Sequence, residues 1–285
     1  MNVIGKVREL QTLLCKLQLS PVGLVPTMGA LHPGHISLVE SAIQQCPVVV
    51  VSIFVNPNQF NDKNDLKNYP RNLESDLHLL SKVLRENDIV FTPDEKEIYP
   101  DEDIRQFHFG NLDNVMEALH RPGHFNGVAQ VVSRLFDIVR PDIAIFGLKD
   151  FQQVAVIRTL VKQTEKKVKI IGMPVMREAD GLAMSSRNQL LEPSIRKDAS
   201  IIYKTISIAA EMLTKHDIPE IKSFVEKSIN NIKGFEVEYF EIVDDTDLIP
   251  VNKRADMDKE KQYSGCIAVK AGMVRLIDNI EIRMV

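Results

Sequence analysis

The stretch "GLVPTMGALHPGH", residues 23–35, decides the fold. Residues 22–25 form a short, almost wholly apolar run of the kind that suits a strand covered on both faces. The chain then turns through Gly29 and delivers His35 to a segment of helical period that begins at Ile36. Strand, sharp turn and helix together open a βαβ unit. Unpaired amide donors and the positive end of the helix dipole make such a turn receptive to phosphate. His32 and His35 stand three residues apart, with Pro33 and Gly34 between them. Two imidazoles so placed can donate hydrogen bonds to oxygens whose charge grows during phosphoryl or nucleotidyl transfer. Taken alone, the stretch fits equally well a turn bearing two surface histidines, whereas a metal pair lacks a third ligand nearby in sequence.

Working outward, β-rich runs at 48–54, 88–91, 142–146 and 168–171 alternate with helical periods at 36–45, 73–86, 128–139 and 151–163. Alternation of this kind predicts a parallel sheet with helices on both sides and ligands beyond the carboxyl ends of its strands. After Pro174 the rhythm changes. Helical segments at 194–213 and 218–232 precede the strand-like "FEVEYFEIVD", "GCIAVKA" and "VRLIDNIEI", which predicts an antiparallel sheet. The expected organisation is therefore α/β: a Rossmann-like domain over residues 1–175 followed by a smaller α+β domain over residues 176–285.

Composition excludes several classes. The chain has 285 residues, of which 44% are hydrophobic and 26% charged, enough apolar material for a sizeable core. Thirty-five Lys and Arg against 39 Asp and Glu leave a net charge of −4, so no overall positive field recruits nucleic acid or an acidic membrane surface. Polyanions must be handled locally. The longest apolar run, near residues 48–55, is far too short to cross a bilayer, and Lys6, Arg8, Glu9 and Lys16 interrupt the first thirty residues. Cys15, Cys46 and Cys266 are scattered, which supports neither a disulfide framework nor a zinc knuckle and predicts reduced thiols in a cytoplasmic protein.

Four further stretches carry chemistry. "VVVVSIFVNPNQF" ends a buried strand in Asn56, Asn58 and Gln59; Gln59 can both donate and accept, as a hydroxy acid requires, although Asn-Pro is also ordinary turn chemistry. "AIFGLKDFQQ" ends a strand at Gly147, supplies a cation at Lys149, a possible helix cap at Asp150, and Gln153 one turn further on. "MREADGLAMSSRNQLL" packs Met184, Ser185, Ser186 and Arg187 into an irregular segment, where hydroxyls, amides and a guanidinium make a clamp for phosphate oxygens, or simply a helix cap beside a surface arginine. "RPGHFNGV" places Arg121, His124 and Asn126 before a helix, either lining a cleft or forming a loop.

"HPGH" after the first strand and "MSSR" after the last resemble the paired signatures of the nucleotidyltransferase superfamily that includes class I aminoacyl-tRNA synthetases. The strings "LVPTMGALHPGH", "VVSIFVNPNQF", "YPR", "RPGHFNGV", "PDIAIFGLKDFQQ", "MREADGLAMSSRN" and "RLIDN" resemble the pantothenate synthetase (pantoate–β-alanine ligase) family. The resemblance is densest in the first 190 residues. It implies an ATP-dependent ligase that forms pantoyl adenylate and pyrophosphate from pantoate and ATP, then pantothenate and AMP with β-alanine, as a step towards coenzyme A. By motif, it gives ATP contacts to Met28, Gly29, Ala30, Leu31, His32, Pro33, Gly34, His35, Gly147, Leu148, Lys149, Asp150, Met176, Met184, Ser185, Ser186 and Arg187. Pantoate falls to Gln59 and Gln153. His35 is the implied proton donor. Because an anion must meet a polyanion, His32, His35 and Lys149 are expected to stabilise the transition state and Ser185, Ser186 and Arg187 to grip the departing pyrophosphate. His35, His32, Lys149 and Arg187 are therefore the candidate catalytic groups, with Asp76 and Asp150 as further candidate helpers. The family commonly has Glu where this chain has Leu148, and an acidic residue where it has Pro33. Magnesium is expected to arrive with ATP, with no protein ligand assigned. A homodimer is implied, with no nucleic-acid or membrane partner. The competing reading is a nucleotidyltransferase acting on a phosphate-bearing acceptor.

Overall fold

In the computed structural model, which describes residues 1–283, the chain forms two compact units. The first comprises Met1–Phe109, Arg121–Leu148 and Gln153–Pro174. The second comprises Gly110–His120, Lys149–Gln152 and the chain from Val175 onward.

The first unit is built on six strands: β1 (Asn2–Ile4), β2 (Val22–Thr27), β3 (Val48–Ile53), β4 (Ile89–Phe91), β5 (Ile143–Gly147) and β6 (Lys169–Met173). Every pairing is parallel, in the order β1-β4-β3-β2-β5-β6. Val48, Val49, Val50 and Val51 are fully buried, as expected of β-branched residues on a central strand covered on both faces. Strand β1 was not predicted, because three residues with mostly exposed side chains carry no periodic signal. From β2 the chain steps one way to β3 and β4, and later the other way from β5 to β6. The reversal lies between β2 and β5, paired at Gly23↔Ile143 and Leu24↔Ala144, and the crevice beyond their carboxyl ends is the topological switch point.

The helix Phe151–Gln163 forms where the apolar spacing predicts it, whereas the helix expected over 36–45 begins three residues earlier, at Pro33, because His32 caps it and Pro33 suits its first position. The helix predicted over 73–86 stops at Leu80. Beyond it, the Asp88 carboxylate accepts from the Arg85 backbone N–H at 2.7 Å and from the Val49 N–H at 2.9 Å, turning the chain into β4. The helix His124–Val139 begins four residues before the predicted start at 128, so "HFN" is helical.

The second unit contains helices Pro193–Asp198, Ile201–Met212 and Ile218–Asn230 and an antiparallel sheet of β7 (Phe235–Asp244), β8 (Tyr263–Ala271) and β9 (Val274–Ile282). The predicted 194–213 helix is broken at Ala199, whose N–H reaches back only to Arg196 O (3.3 Å), a tight three-residue turn. Ile202, Ile206, Ile221, Val225 and Ile229 share a core with Phe240, Ile242, Ile267 and Val269. The Gly110–His120 stretch is tied in by a buried charge network. Arg275 on β9 donates to both Glu117 carboxylate oxygens (2.7 and 2.8 Å) and to Glu238, and the Tyr239 hydroxyl donates to Glu117 Oε1 (2.8 Å). Gln152 accepts from the Glu117 N–H and donates to Leu112 O and Val115 O, which joins the 149–152 stretch to the same unit. No described helix is long and apolar enough to cross a membrane.

Candidate active site

The turn after β2 is held from below. Thr27 Oγ1 donates to Ser52 O on β3 (2.8 Å) and accepts from the Gly29 N–H (3.3 Å). Gly29 adopts φ +77°, and a Cβ there would lie 2.9 Å from Asp76 Oδ2 and 3.1 Å from Ile53 Cγ2, so this position needs glycine. The Asp76 carboxylate, 2% exposed, accepts from the Ala30 N–H (3.0 Å) and the Leu31 N–H (2.7 Å), one amide per oxygen. Burial pushes the Asp76 carboxyl above the usual range, against the two amides that favour its ionised form.

The turn ends in a capping box made of histidines. His32 is the N-cap of the helix Pro33–Gln45, its Nδ1 accepting from the Gly34 N–H (3.2 Å), while His35 Nδ1 accepts from the His32 N–H (3.3 Å). Pro33 occupies the first helical position, where its missing N–H is not needed. A backbone amide can only donate, so each Nδ1 must be unprotonated, and each neutral ring carries its proton on Nε2. The half-buried rings lie with centroids 4.0 Å apart at the positive end of a 13-residue helix. The result is a paired set of N–H donors at the switch point.

Beside it, Asn56 at the end of β3 is fully buried. Its Nδ2 donates to Gly127 O (3.0 Å) and Gln59 Oε1 (3.2 Å), and the Tyr99 hydroxyl donates to its Oδ1 (2.9 Å). The Gly127 carbonyl can only accept, which settles the Asn56 amide orientation and with it that of Gln59. Gln59 Nε2 points to Met28 Sδ at 2.9 Å, bringing together a residue expected to bind ATP and one expected to bind pantoate. His124 Nδ1 lies 2.7 Å from Gln59 O, so it must donate, and its Nε2, 3.2 Å from Arg121 Nη1, accepts. Asn126 accepts from the Phe107 N–H (2.9 Å). The "RPGHFNGV" residues therefore support the Gln59 loop and its neighbours from the first turn of a helix. A Cβ on Gly127 would fall 2.2 Å from Asn58 O, and only glycine lets this helix approach the loop so closely.

Gly147 ends β5 and Leu148 follows it, Leu148 covering Gly172 of β6, where a Cβ would lie 2.6 Å from Leu148 Cδ2. Gln153 is half-buried in the first turn of the helix Phe151–Gln163.

In the second unit, the Lys149 ammonium lies 3.6 Å from Asp150 Oδ1. Met176 and Met184 are joined by Met184 N–H to Met176 O (2.9 Å) at the base of a hairpin in which Arg177 pairs with Ala183. Ser185 caps the short turn Ser186–Leu190, its hydroxyl accepting from the Arg187 N–H (3.3 Å). Asn188 braces this turn, donating to Ala183 O (3.0 Å) and Glu178 Oε1 (2.7 Å). Among the described residues, no group of three or more His, Cys, Asp or Glu is placed to hold a metal ion. Sequence reasoning did not find Tyr99, Asp278 or Asn279; "RLIDN" was a motif without an assigned task.

The chain matches the family described as pantoate-beta-alanine ligase over residues 2–281. It is 51% identical over 282 residues to a protein named pantothenate synthetase in Azobacteroides pseudotrichonymphae, covering 98% of this chain and 99% of that one. The protein of that name in Bacteroides thetaiotaomicron is 48% identical over 283 residues, with 99% of each chain covered. Among solved structures, the pantothenate synthetase of Thermus thermophilus superposes with a TM-score of 0.90 at 38% identity over 100% of both chains. A pantoate-beta-alanine ligase from Francisella tularensis, solved in complex with beta-gamma ATP and beta-alanine, gives 0.79 at 34% identity over 99% of this chain and 97% of that one.

Proposed function

Because the chain belongs to the pantoate–β-alanine ligase family, we propose that it joins pantoate to β-alanine at the expense of ATP, as a ligase forming a C–N bond. A pantoate carboxylate oxygen attacks the α-phosphorus of ATP, forming the acyl phosphate link of pantoyl adenylate and expelling pyrophosphate. The β-alanine amine, as its free base, then attacks the acyl carbon, forms the amide and expels AMP. The observation that carries this reading is the histidine capping box, which fixes the Nδ1 of His32 and His35 as acceptors from backbone amides and so puts the ring proton of each on Nε2, at the N-terminus of the helix that follows β2.

The first half-reaction brings an anion to a polyanion. Two unit charges 4 Å apart interact by roughly 1 kcal/mol in bulk water and by about 4 kcal/mol at an effective dielectric near 20, so neutralising charge matters more than activating a nucleophile that is already ionised. His32 and His35 donate from Nε2 to phosphate oxygens as charge develops at the α-phosphorus. Lys149 and Arg187 supply cationic charge, and Ser185, Ser186 and Arg187 grip the departing pyrophosphate. Met28 to His35, Gly147 to Asp150, Met176 and Met184 to Arg187 contact ATP. Gln59, its amide oriented by Asn56, offers an N–H donor to pantoate, and Gln153 offers a second amide. Magnesium arriving with ATP would supply charge neutralisation, and since such an ion usually takes one or two protein carboxylates, Asp150, beside Lys149, would be the carboxylate to hold it. The free thiols of Cys15, Cys46 and Cys266 fit a reducing cytoplasm, and the active species is a homodimer.

The test is exchange of labelled pyrophosphate into ATP with magnesium, with and without pantoate, followed by addition of β-alanine and measurement of AMP. Exchange that requires pantoate and AMP release that requires β-alanine are the expected results. Exchange supported by a phosphate-bearing acceptor and indifferent to pantoate would overturn the assignment. Sedimentation velocity tests the dimer.

A further inference from the structure

The motif "RLIDN", residues 275–279, lies on β9 of the second unit, and its Asp278 and Asn279 have no part in the reaction as derived above. Asp278 is 4% exposed, and Arg177 grips both of its oxygens, Nη1 to Oδ2 at 2.6 Å and Nη2 to Oδ1 at 3.0 Å. The same guanidinium donates to Gly181 O (3.2 Å) and Asn279 O (3.1 Å) and lies 3.6 Å above the centroid of the Tyr203 ring. Arg177 is thus held by the Asp278 carboxylate, two backbone carbonyls and the Tyr203 ring. Its backbone pairs with Ala183 across the hairpin, so the segment Met184 to Arg187 leaves directly from the clamped rung. One residue further along β9, the Asn279 carboxamide, 7% exposed, donates to the backbone carbonyl of Lys149 at 3.1 Å.

Two consecutive side chains of one strand therefore fasten two segments remote in sequence. We propose that Asp278 and Asn279 are positioning residues for the ligase, Asn279 setting Lys149 and Asp278, through Arg177, setting the Met184–Arg187 turn for contact with the ATP phosphates. This rests on the ATP contacts given to those segments under the proposed function. A lysine ammonium at the end of four methylenes is aimed only if its backbone is held, and the serine hydroxyls of a short turn are aimed only if the turn is anchored. The task at 279 demands a donor, which an aspartate of the same size cannot supply.

The test uses the full-length chain with Asn279→Ala, Asn279→Asp and Asp278→Asn. Affinity is measured for a non-hydrolysable ATP analogue and for AMP, alongside KM for ATP and for pantoate. One hydrogen bond of ordinary strength corresponds to about a fivefold change. Asn279→Ala is expected to weaken the ATP analogue about fivefold while AMP affinity and pantoate KM stay within twofold, because AMP lacks the β- and γ-phosphates. Asn279→Asp is expected to do at least as much, since it sets a carboxylate against the Lys149 carbonyl. Asp278→Asn, which breaks a buried ion pair, is expected to show the same selective loss. Unchanged ATP binding in a folded Asn279 variant, or equal weakening of ATP analogue and AMP, would overturn the proposal. Asn279→Ala and Asn279→Asp leave the Arg177–Asp278 pair intact, and Asn279→Asp preserves side-chain volume, so the readout survives if Asp278→Asn does not fold. Wild-type protein without pantoate-dependent exchange would instead refute the proposed function, which separates the two failures.

Discussion

Asp76→Asn separates the stability of the chain from the shape of its first turn. The native carboxylate takes one amide on each oxygen, at 3.0 and 2.7 Å, and is 2% exposed. Asparagine keeps one acceptor and turns its NH2 towards the other amide, a buried mismatch that costs about 1–3 kcal/mol. Against this, the carboxyl is raised above its ordinary value of 3.8, chiefly by burial, so its ionised form is disfavoured in the folded chain. The sign follows from linkage. With the folded pKa above the unfolded one, the favourable contribution of this group is fully present below about pH 3.8 and is lost as pH rises through the folded pKa. An uncharged amide escapes that loss at neutral pH. The two effects oppose each other, and Asp76→Asn is expected to cost less stability at pH 7 than the mismatch alone, and less than Asp76→Ala, in calorimetric melting. Asp76→Ala leaves the buried Leu31 amide and the partly buried Ala30 amide without this acceptor and is expected to cost about 2–3 kcal/mol. Both release the Ala30–Leu31 backbone that presents the histidines, and a displacement of about 1 Å lowers the rate by roughly 100-fold. Calorimetric melting and pantoate-dependent pyrophosphate exchange read the two quantities separately. Exchange within twofold of wild type in Asp76→Asn would refute the claim that this carboxylate sets the turn.

Three other outcomes follow from the first unit. His35→Ala is expected to lower pantoate-dependent exchange by about 100-fold, the scale of one transition-state donor, while melting falls only by the few degrees that a lost cap costs; undiminished exchange would remove His35 from the reaction. Gly127→Ala pushes a methyl into the Asn58 carbonyl, and is expected to raise KM for pantoate, by displacing Gln59, and to cost about 1–3 kcal/mol in urea unfolding; wild-type values for both would contradict the close approach. Asp103 is held below its ordinary 3.8, first by hydrogen bonds from the Arg105 guanidinium, so its contribution is present above about pH 3.8 and lost as pH falls through the depressed folded value. Asp103→Asn, which also uncouples Arg134, is expected to cost about 3 kcal/mol at pH 7, and the gap to wild type should close in acid; a gap independent of pH would show that the carboxylate charge is not what matters.

Periodicity made β2 to β6, the helices Pro33–Gln45 and Phe151–Gln163, and the three antiparallel strands legible, since each buries a face whose spacing is written locally. It failed where a distant partner intervened. The 73–86 helix ends early because Asp88 is drawn to Val49, and "HFN" is helical because His124 reaches Gln59, 65 residues away.

Residue types and their order along the chain determined the α/β class, the switch-point turn with its two histidines, and the family to which the chain belongs. Tertiary structure alone decided that Asp76, Tyr99 and His124 would support that turn and the Gln59 loop, and that Asp278 and Asn279 would anchor Arg177 and Lys149. A hydrogen bond across a hundred residues leaves no spacing to read; its partners are chosen only when packing removes water from both of them and each buried polar group must find another.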